Sequence, residues 1–177
     1  TKNKLELINK RVVQYLPEQN FFKIITTDNK IYYAENIYDS RSAKEKQGEL
    51  LQHFFGINIT VADNTFNENK LTLMHFTEEN NVLHFMYVLP FSHNKALVES
   101  TVFSKDVFHN SWYREKINDY LKKNNINKFK EDSSEKGVIP MFFAGEKRSF
   151  NSKIFNIGIR GGACKPSTGY AFSFLIK

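Results

Sequence analysis

Short apolar runs alternate with polar breaks along most of the chain, and their spacing predicts a β-rich fold. Residues 21–27 and 31–37 flank Asp28-Asn29-Lys30, which predicts a hairpin around a turn-forming tripeptide. Residues 50–61 and 71–76 read as strands, with a polar stretch at 62–70 between them. Residues 82–89 and 95–103 form the clearest strand pair, joined through residues 90–94. The period then changes. Over residues 111–123, Tyr113, Ile117, Tyr120 and Leu121 share one face at helical spacing. Asn110 or Ser111 suits the N-cap, and Asn124-Asn125 suits the end. The charged stretch 128–134 predicts a solvated loop, and residues 137–143 and 153–159 predict two more strands. A turn at Gly161-Gly162 follows, and Pro166 fits the first turn of a helix running out through residue 177. The sum is an α/β chain, α+β within this segment. It has a mostly antiparallel sheet with packed helices, in a single domain over residues 1–177.

Composition narrows the classes. The 177 residues are enough for a real core, and 41% hydrophobic content with 17 Phe and 8 Tyr excludes a disordered tail. A single cysteine, Cys164, excludes an intramolecular disulfide framework and a Cys-based zinc cluster. A formal charge of +6 favours phosphate groups or an anionic surface as partners. The chain starts at Thr1 with no leader pattern and stops within an apolar stretch, so it is expected to be an interior piece of something longer. No apolar run approaches the roughly 18 residues of a membrane span. The longest candidates, 85–91 and 138–144, each contain a proline, so any membrane contact is expected to be peripheral.

Three constellations could carry chemistry. In residues 157–170, glycines would let backbone N–H groups approach a phosphate, Lys165 adds a cation, and Ser167 and Thr168 add hydroxyls. The alternative is an ordinary turn with a capped helix. In strand 95–103, Leu97, Glu99, Thr101 and Phe103 share a face. A carboxylate among apolar neighbours favours its neutral acid form, which suits a proton donor. The alternative is a glutamate at a sheet margin or paired with a lysine. Asp39 and Arg41, just after a predicted strand, could hold a cofactor's ribose and phosphates or could simply bridge each other. The five histidines show no metal-ligand spacing and predict no metal site. The lysines near residues 122–130 are interleaved with Asn and followed by acids, a solvated face rather than a nucleic-acid site.

Taken in order, these strings resemble the lycopene β-cyclase family of flavoproteins. They are Met86-Tyr87-Val88-Leu89-Pro90-Phe91-Ser92, Ala96-Leu97-Val98-Glu99, Gly137-Val138-Ile139-Pro140-Met141, Gly161-Gly162, and Pro166-Ser167-Thr168-Gly169-Tyr170. Tyr38-Asp39-Ser40-Arg41 also fits, so the resemblance runs from about Ile31 to Lys177. It implies that Glu99 is the acid–base residue. It also implies that Gly161, Gly162, Pro166, Ser167, Thr168, Gly169 and Tyr170, with Asp39 and Arg41, contact the cofactor. The chain departs from the family's pattern at His75, where an Asp is frequent, and at Lys165, where an Arg is frequent. It also lacks the strand–GxGxxG–helix that grips the FAD diphosphate. The implied fold is part of a p-hydroxybenzoate-hydroxylase-like FAD-binding fold without its N-terminal dinucleotide-binding half. Such a piece is expected to be inactive alone and to hold FAD weakly.

The resemblance implies an enzyme of carotenoid biosynthesis that closes the ψ-end groups of lycopene, or a related acyclic carotenoid, into β-ionone rings without net redox change. Reduced FAD is the implied cofactor and NAD(P)H the reductant, in the cytoplasm at a membrane surface. Phe85, Tyr87, Phe91 and Phe103 are the expected lining for the polyene, their ring faces suited to a carbocation; the alternative is a plain core. Two other readings stay open. One is a related FAD-dependent reductase or monooxygenase, of geranylgeranyl-reductase type. The other is a non-enzymatic basic β-rich binding module.

Overall fold

The computed structural model describes residues 5–41, 48–79, 82–141 and 153–171. These gather into two compact units. One is built from residues 1–42 and 145–163, the other from residues 43–144 and 164–177.

The smaller unit opens with an antiparallel meander of β1 (Val12–Pro17), β2 (Phe22–Thr26) and β3 (Ile31–Ala34). The predicted hairpin around residues 28–30 is present. Asn29 takes the left-handed conformation the turn needs (φ 61°), and Thr26 Oγ1 donates to Asp28 Oδ1 at 2.6 Å. β1 was not legible, because six residues ending in proline carry too little alternation. β4 (Ile37–Asp39) pairs in parallel with β10 (Ile154–Asn156). This pairing joins segments far apart in sequence, which no local pattern announces. The strand predicted at 153–159 is therefore only three residues long, and the chain turns straight after it.

The larger unit is one antiparallel sheet in the order β6-β7-β8-β5-β9, with a helix on one face. The strands are β5 (Leu51–Thr60), β6 (Thr72–Thr77), β7 (Leu83–Ser92), β8 (Lys95–Ser104) and β9 (Lys130–Pro140). The helix is α1 (Asn110–Lys123). Alternation along the strands sends Phe55, Ile57, Ile59, Met86, Val88, Val98 and Val102 to the helix side. There they meet Tyr113, Ile117 and Leu121 in the main core. The predicted helical face holds for these three residues. The N-cap is His109 rather than Asn110 or Ser111, its ring nitrogen accepting from the Ser111 N–H. The helix stops at Asn124, and Asn125 turns with φ 62°.

Two further expectations are corrected. Residues 130–134, read as a solvated loop, form the first half of β9 and pair along β5. Their side chains are exposed and polar, so the apolar pattern was absent although the backbone pairs along β5 through a bulge at Asp132. Residues 166–169 form a turn, not the start of a helix. Thr168 and Gly169 N–H groups both bond to the Lys165 carbonyl, Lys165 bridges Tyr170, and Gly169 takes φ 69°. Residues 142–143 of one predicted strand and 172–177 of the predicted helix lie outside the described residues. Among the described residues, no helix is long and apolar enough to cross a membrane.

Candidate active site

The second face of the five-stranded sheet carries Glu99. Register places Tyr87 of β7, Glu99 of β8, Gly56 of β5 and Glu135 of β9 in one row across it. Along β8, Leu97 and Thr101 flank Glu99, and both are buried. Thr101 Oγ1 donates to Glu99 Oε1 at 2.7 Å. Burial pushes the Glu99 carboxyl up to about 7. The Thr101 hydrogen bond opposes this, and the Glu135 charge adds to it. Tyr87 is also raised, by burial first and then by Glu99. The carboxyl predicted to be a proton donor therefore keeps about half of its molecules in the acid form at neutrality, where an ordinary glutamate is almost wholly ionised.

Gly56 explains how the row fits. A Cβ there would stand 3.0 Å from Leu97 Cδ1 and 3.4 Å from both Glu99 Cβ and Glu135 Cγ. The missing side chain leaves the two glutamates facing the same gap. A glycine inside a strand pattern signals such a close approach. It was the one sequence clue to this gap. Glu135 itself sat where a loop was expected to give way to a strand, and gave no signal.

Aromatic rings extend the row. Phe85 makes edge contacts with Tyr87 (5.2 Å between centroids) and Phe76 (5.6 Å), and a tilted one with Phe103 (5.8 Å). Phe85 is wholly buried, so it supports the others rather than offering a surface. Tyr87 and Phe103 remain partly exposed on the Glu99 face. Phe91 lies apart from this cluster, exposed at the far end of β7.

The turn at residues 165–170 sits over one end of the same face. A Cβ on Gly169 would collide with Gln52 Oε1 and come within 3.3 Å of Met141 Sδ. Gln52 lies four residues along β5 from Gly56, about 13 Å away by strand rise. Gln52 Oε1 is buried beneath the turn with no hydrogen-bond partner among the described residues. Lys165, Ser167, Thr168 and Tyr170 are exposed around it. This donor set of one ammonium and several hydroxyls suits an anionic or polar ligand.

The remaining predicted residues lie in the smaller unit. Asp39 is buried and accepts from the Arg41 N–H (3.0 Å), Nε (2.9 Å) and Nη2 (2.7 Å), with Arg160 Nε at 3.3 Å. The Arg41 hydrogen bond, above all, holds Asp39 well below the usual carboxylate range. Of the two readings of Asp39 and Arg41, the ion pair is the one present. Asp39 is committed to the arginines, while the half-exposed Arg41 lies over the Tyr15 ring at 5.1 Å. Arg160, whose Nε also donates to Asn156 Oδ1, completes a cluster that sequence reading had seen only in part. The paired glycines have local causes. Gly161 packs against Asn156 backbone with no room for a Cβ, and Gly162 has φ 80°.

Comparisons with known proteins bear on the family and the fold. The family model described as lycopene cyclase protein matches residues 2–176. No curated protein matches the sequence. Among solved structures, a geranylgeranyl bacteriochlorophyll reductase-like protein from Thermoplasma acidophilum is similar, with TM-score 0.58 and 13% identity. The match covers 93% of this chain and 44% of that one. A variant of Klebsiella pneumoniae HpxO complexed with FAD gives 0.55 and 11%, covering 92% and 46%. The tetracycline destructase Tet(51) gives 0.50 and 14%, covering 93% and 49%. The chain thus spans less than half the length of these structures. At such identities the likeness is one of fold.

Proposed function

Because the chain belongs to the lycopene cyclase family, we propose that it forms the substrate-side part of an FAD-dependent enzyme that cyclises the ψ-end groups of lycopene or a related acyclic carotenoid. The observation that carries this reading is Glu99. It is a carboxyl with its pKa near 7, on an aromatic-lined sheet face that the Pro166–Tyr170 turn also covers. Closing such a ring takes one proton in and one proton out. Glu99 gives its proton to an end-group alkene carbon, whose π pair forms the new C–H bond. The tertiary cation is captured by a neighbouring double bond, and a ring carbon then loses a proton to the Glu99 carboxylate, so the acid is restored and the substrate is neither oxidised nor reduced.

The residues present make this feasible. Leu97 and Phe85 keep the proton donor away from bulk water, which favours its neutral form. Thr101 holds one carboxyl oxygen and so fixes the direction of the other. The faces of Tyr87 and Phe103 would meet the developing cation. In the larger unit, Ser167, Thr168 and Lys165 would offer donors to polar or anionic groups of a cofactor; in the smaller unit, taken by itself, Arg41 would serve a phosphate while Asp39 fixes its direction. Bound in reduced form, with NAD(P)H as the reductant, FAD would supply electrostatic stabilisation of the cation. Delivery of so apolar a substrate fits peripheral contact with a membrane surface.

The test is Glu99→Gln in the full-length enzyme, expressed in a lycopene-producing host. Ring formation is expected to disappear while the purified protein keeps its flavin absorbance. Near-normal ring formation would remove Glu99 from the acid role. The likeness to a geranylgeranyl reductase-like fold keeps a second reading in view, that of a reductase or monooxygenase on an apolar substrate. Product mass separates them, since cyclisation alone leaves it unchanged.

A further inference from the structure

We infer that Glu135 is a positioning residue for the proton donor: facing Glu99 across the side-chain-free gap at Gly56, its negative charge adds to burial in raising the protonated share of the donor near neutral pH. This rests on the reading of Glu99 as the acid, and adds a residue that the family motif around Glu99 does not contain.

The geometry is specific. Glu99 and Glu135 belong to strands that do not touch, with β5 between them. Any ordinary residue at position 56 would put a side chain between the two carboxyl groups. With glycine there, Glu99 Cβ and Glu135 Cγ flank the same gap. The groups facing Glu99 can be named strand by strand. β7 presents Tyr87, β5 presents Gly56, β9 presents Glu135, and β8 itself supplies Leu97 and Thr101. Glu135 is therefore the charged group in this row besides Glu99 itself. Two carboxylates facing one gap cannot both ionise cheaply. Glu135 is the exposed member and Glu99 the more buried one, so the shared penalty falls on ionisation of Glu99.

The experiment compares wild type, Glu135→Gln and Glu135→Asp of the full-length flavoprotein. One readout is the pH dependence of ring formation with lycopene in liposomes. The other is the Glu99 carboxyl titration, followed by NMR of carbon-13-labelled glutamate and assigned with Glu99→Gln. Glu135→Gln is expected to lower the Glu99 midpoint by about half to one pH unit. The alkaline limb of the activity profile should move down with it. Glu135→Asp should keep most of the effect. High salt should move wild type toward Glu135→Gln, because the exposed charge is screened. An unchanged Glu99 midpoint in Glu135→Gln at low salt would overturn the inference. A shifted midpoint in a protein that forms no rings would support the pairing and defeat the cyclase reading, so the two fail separately.

Discussion

A carboxyl held in its acid form makes the fold sensitive to base. In the folded chain Glu99 titrates at about 7, against 4.5 for an ordinary glutamate. Its contribution is fully present below the unfolded value and is lost as pH rises through 7. By pH 8 the loss reaches at most about 3 kcal/mol. Glu99→Gln should therefore be more stable than wild type at pH 8, by about 1–3 kcal/mol in urea unfolding, and equal to it at pH 4.5. Equal stability at both pH values would mean that the carboxyl pays no burial penalty. His84 works in the opposite direction. Burial, above all, lowers it to about 4, with Glu79 raising it and Lys116 lowering it further. Its ring is buried between Thr77 and Ser100. Below 6.5 the unfolded chain takes up a proton that the folded chain refuses. His84 alone should cost about 1–2 kcal/mol between pH 7 and 5, offsetting what Glu99 regains over the same window, so His84→Gln should gain stability relative to wild type as pH falls in the same assay. Alternation made Glu99 legible in the sequence. The buried role of His84 was not, since a histidine on the core side of a strand looks like any other until its neighbours are known.

At the scale of elements, what could be read was what carries an apolar period. β5, β7, β8 and α1 each bury one face, and their residues say so. β9 does not. Its first half is charged, and only its partner β5 tells it apart from a loop. The tail of the predicted strand at 153–159 and the helix predicted after Pro166 fail for another reason. Glycines at positive φ, Gly158 and Gly169, allow the chain to turn where a longer element was expected. β9 also has one fixed point. A Cβ on Gly137 would stand 2.6 Å from Phe54 Cζ and 2.7 Å from Cε1, so that ring fills the space a side chain would take. Gly137→Ala should displace it and cost about 1–3 kcal/mol, seen as a lower thermal midpoint. An unchanged midpoint would mean that the ring swings aside freely.

For the whole molecule, the order of short motifs pointed to the family before any strand was placed, and the family match spans nearly the full chain. The pairing of β4 with β10, and the division into two units, came only with the structure. Both depend on contacts between distant segments. The two outer strands of the larger sheet also differ in a way with consequences beyond folding. β9 presents Lys130, Glu131, Asp132 and Lys136 to solvent, with Glu131 bonded to Arg114 and Asp132 to Thr60. On the opposite margin β6 is apolar, with Leu73, Met74 and Phe76 exposed, but its ladder is broken between Thr72 and His75, where Met74 turns through φ 54°. One margin is guarded by charge and the other by a kink. Fibril-like stacking of copies is thus discouraged at both, and a variant that straightened β6 would leave a sticky rim able to recruit its own kind.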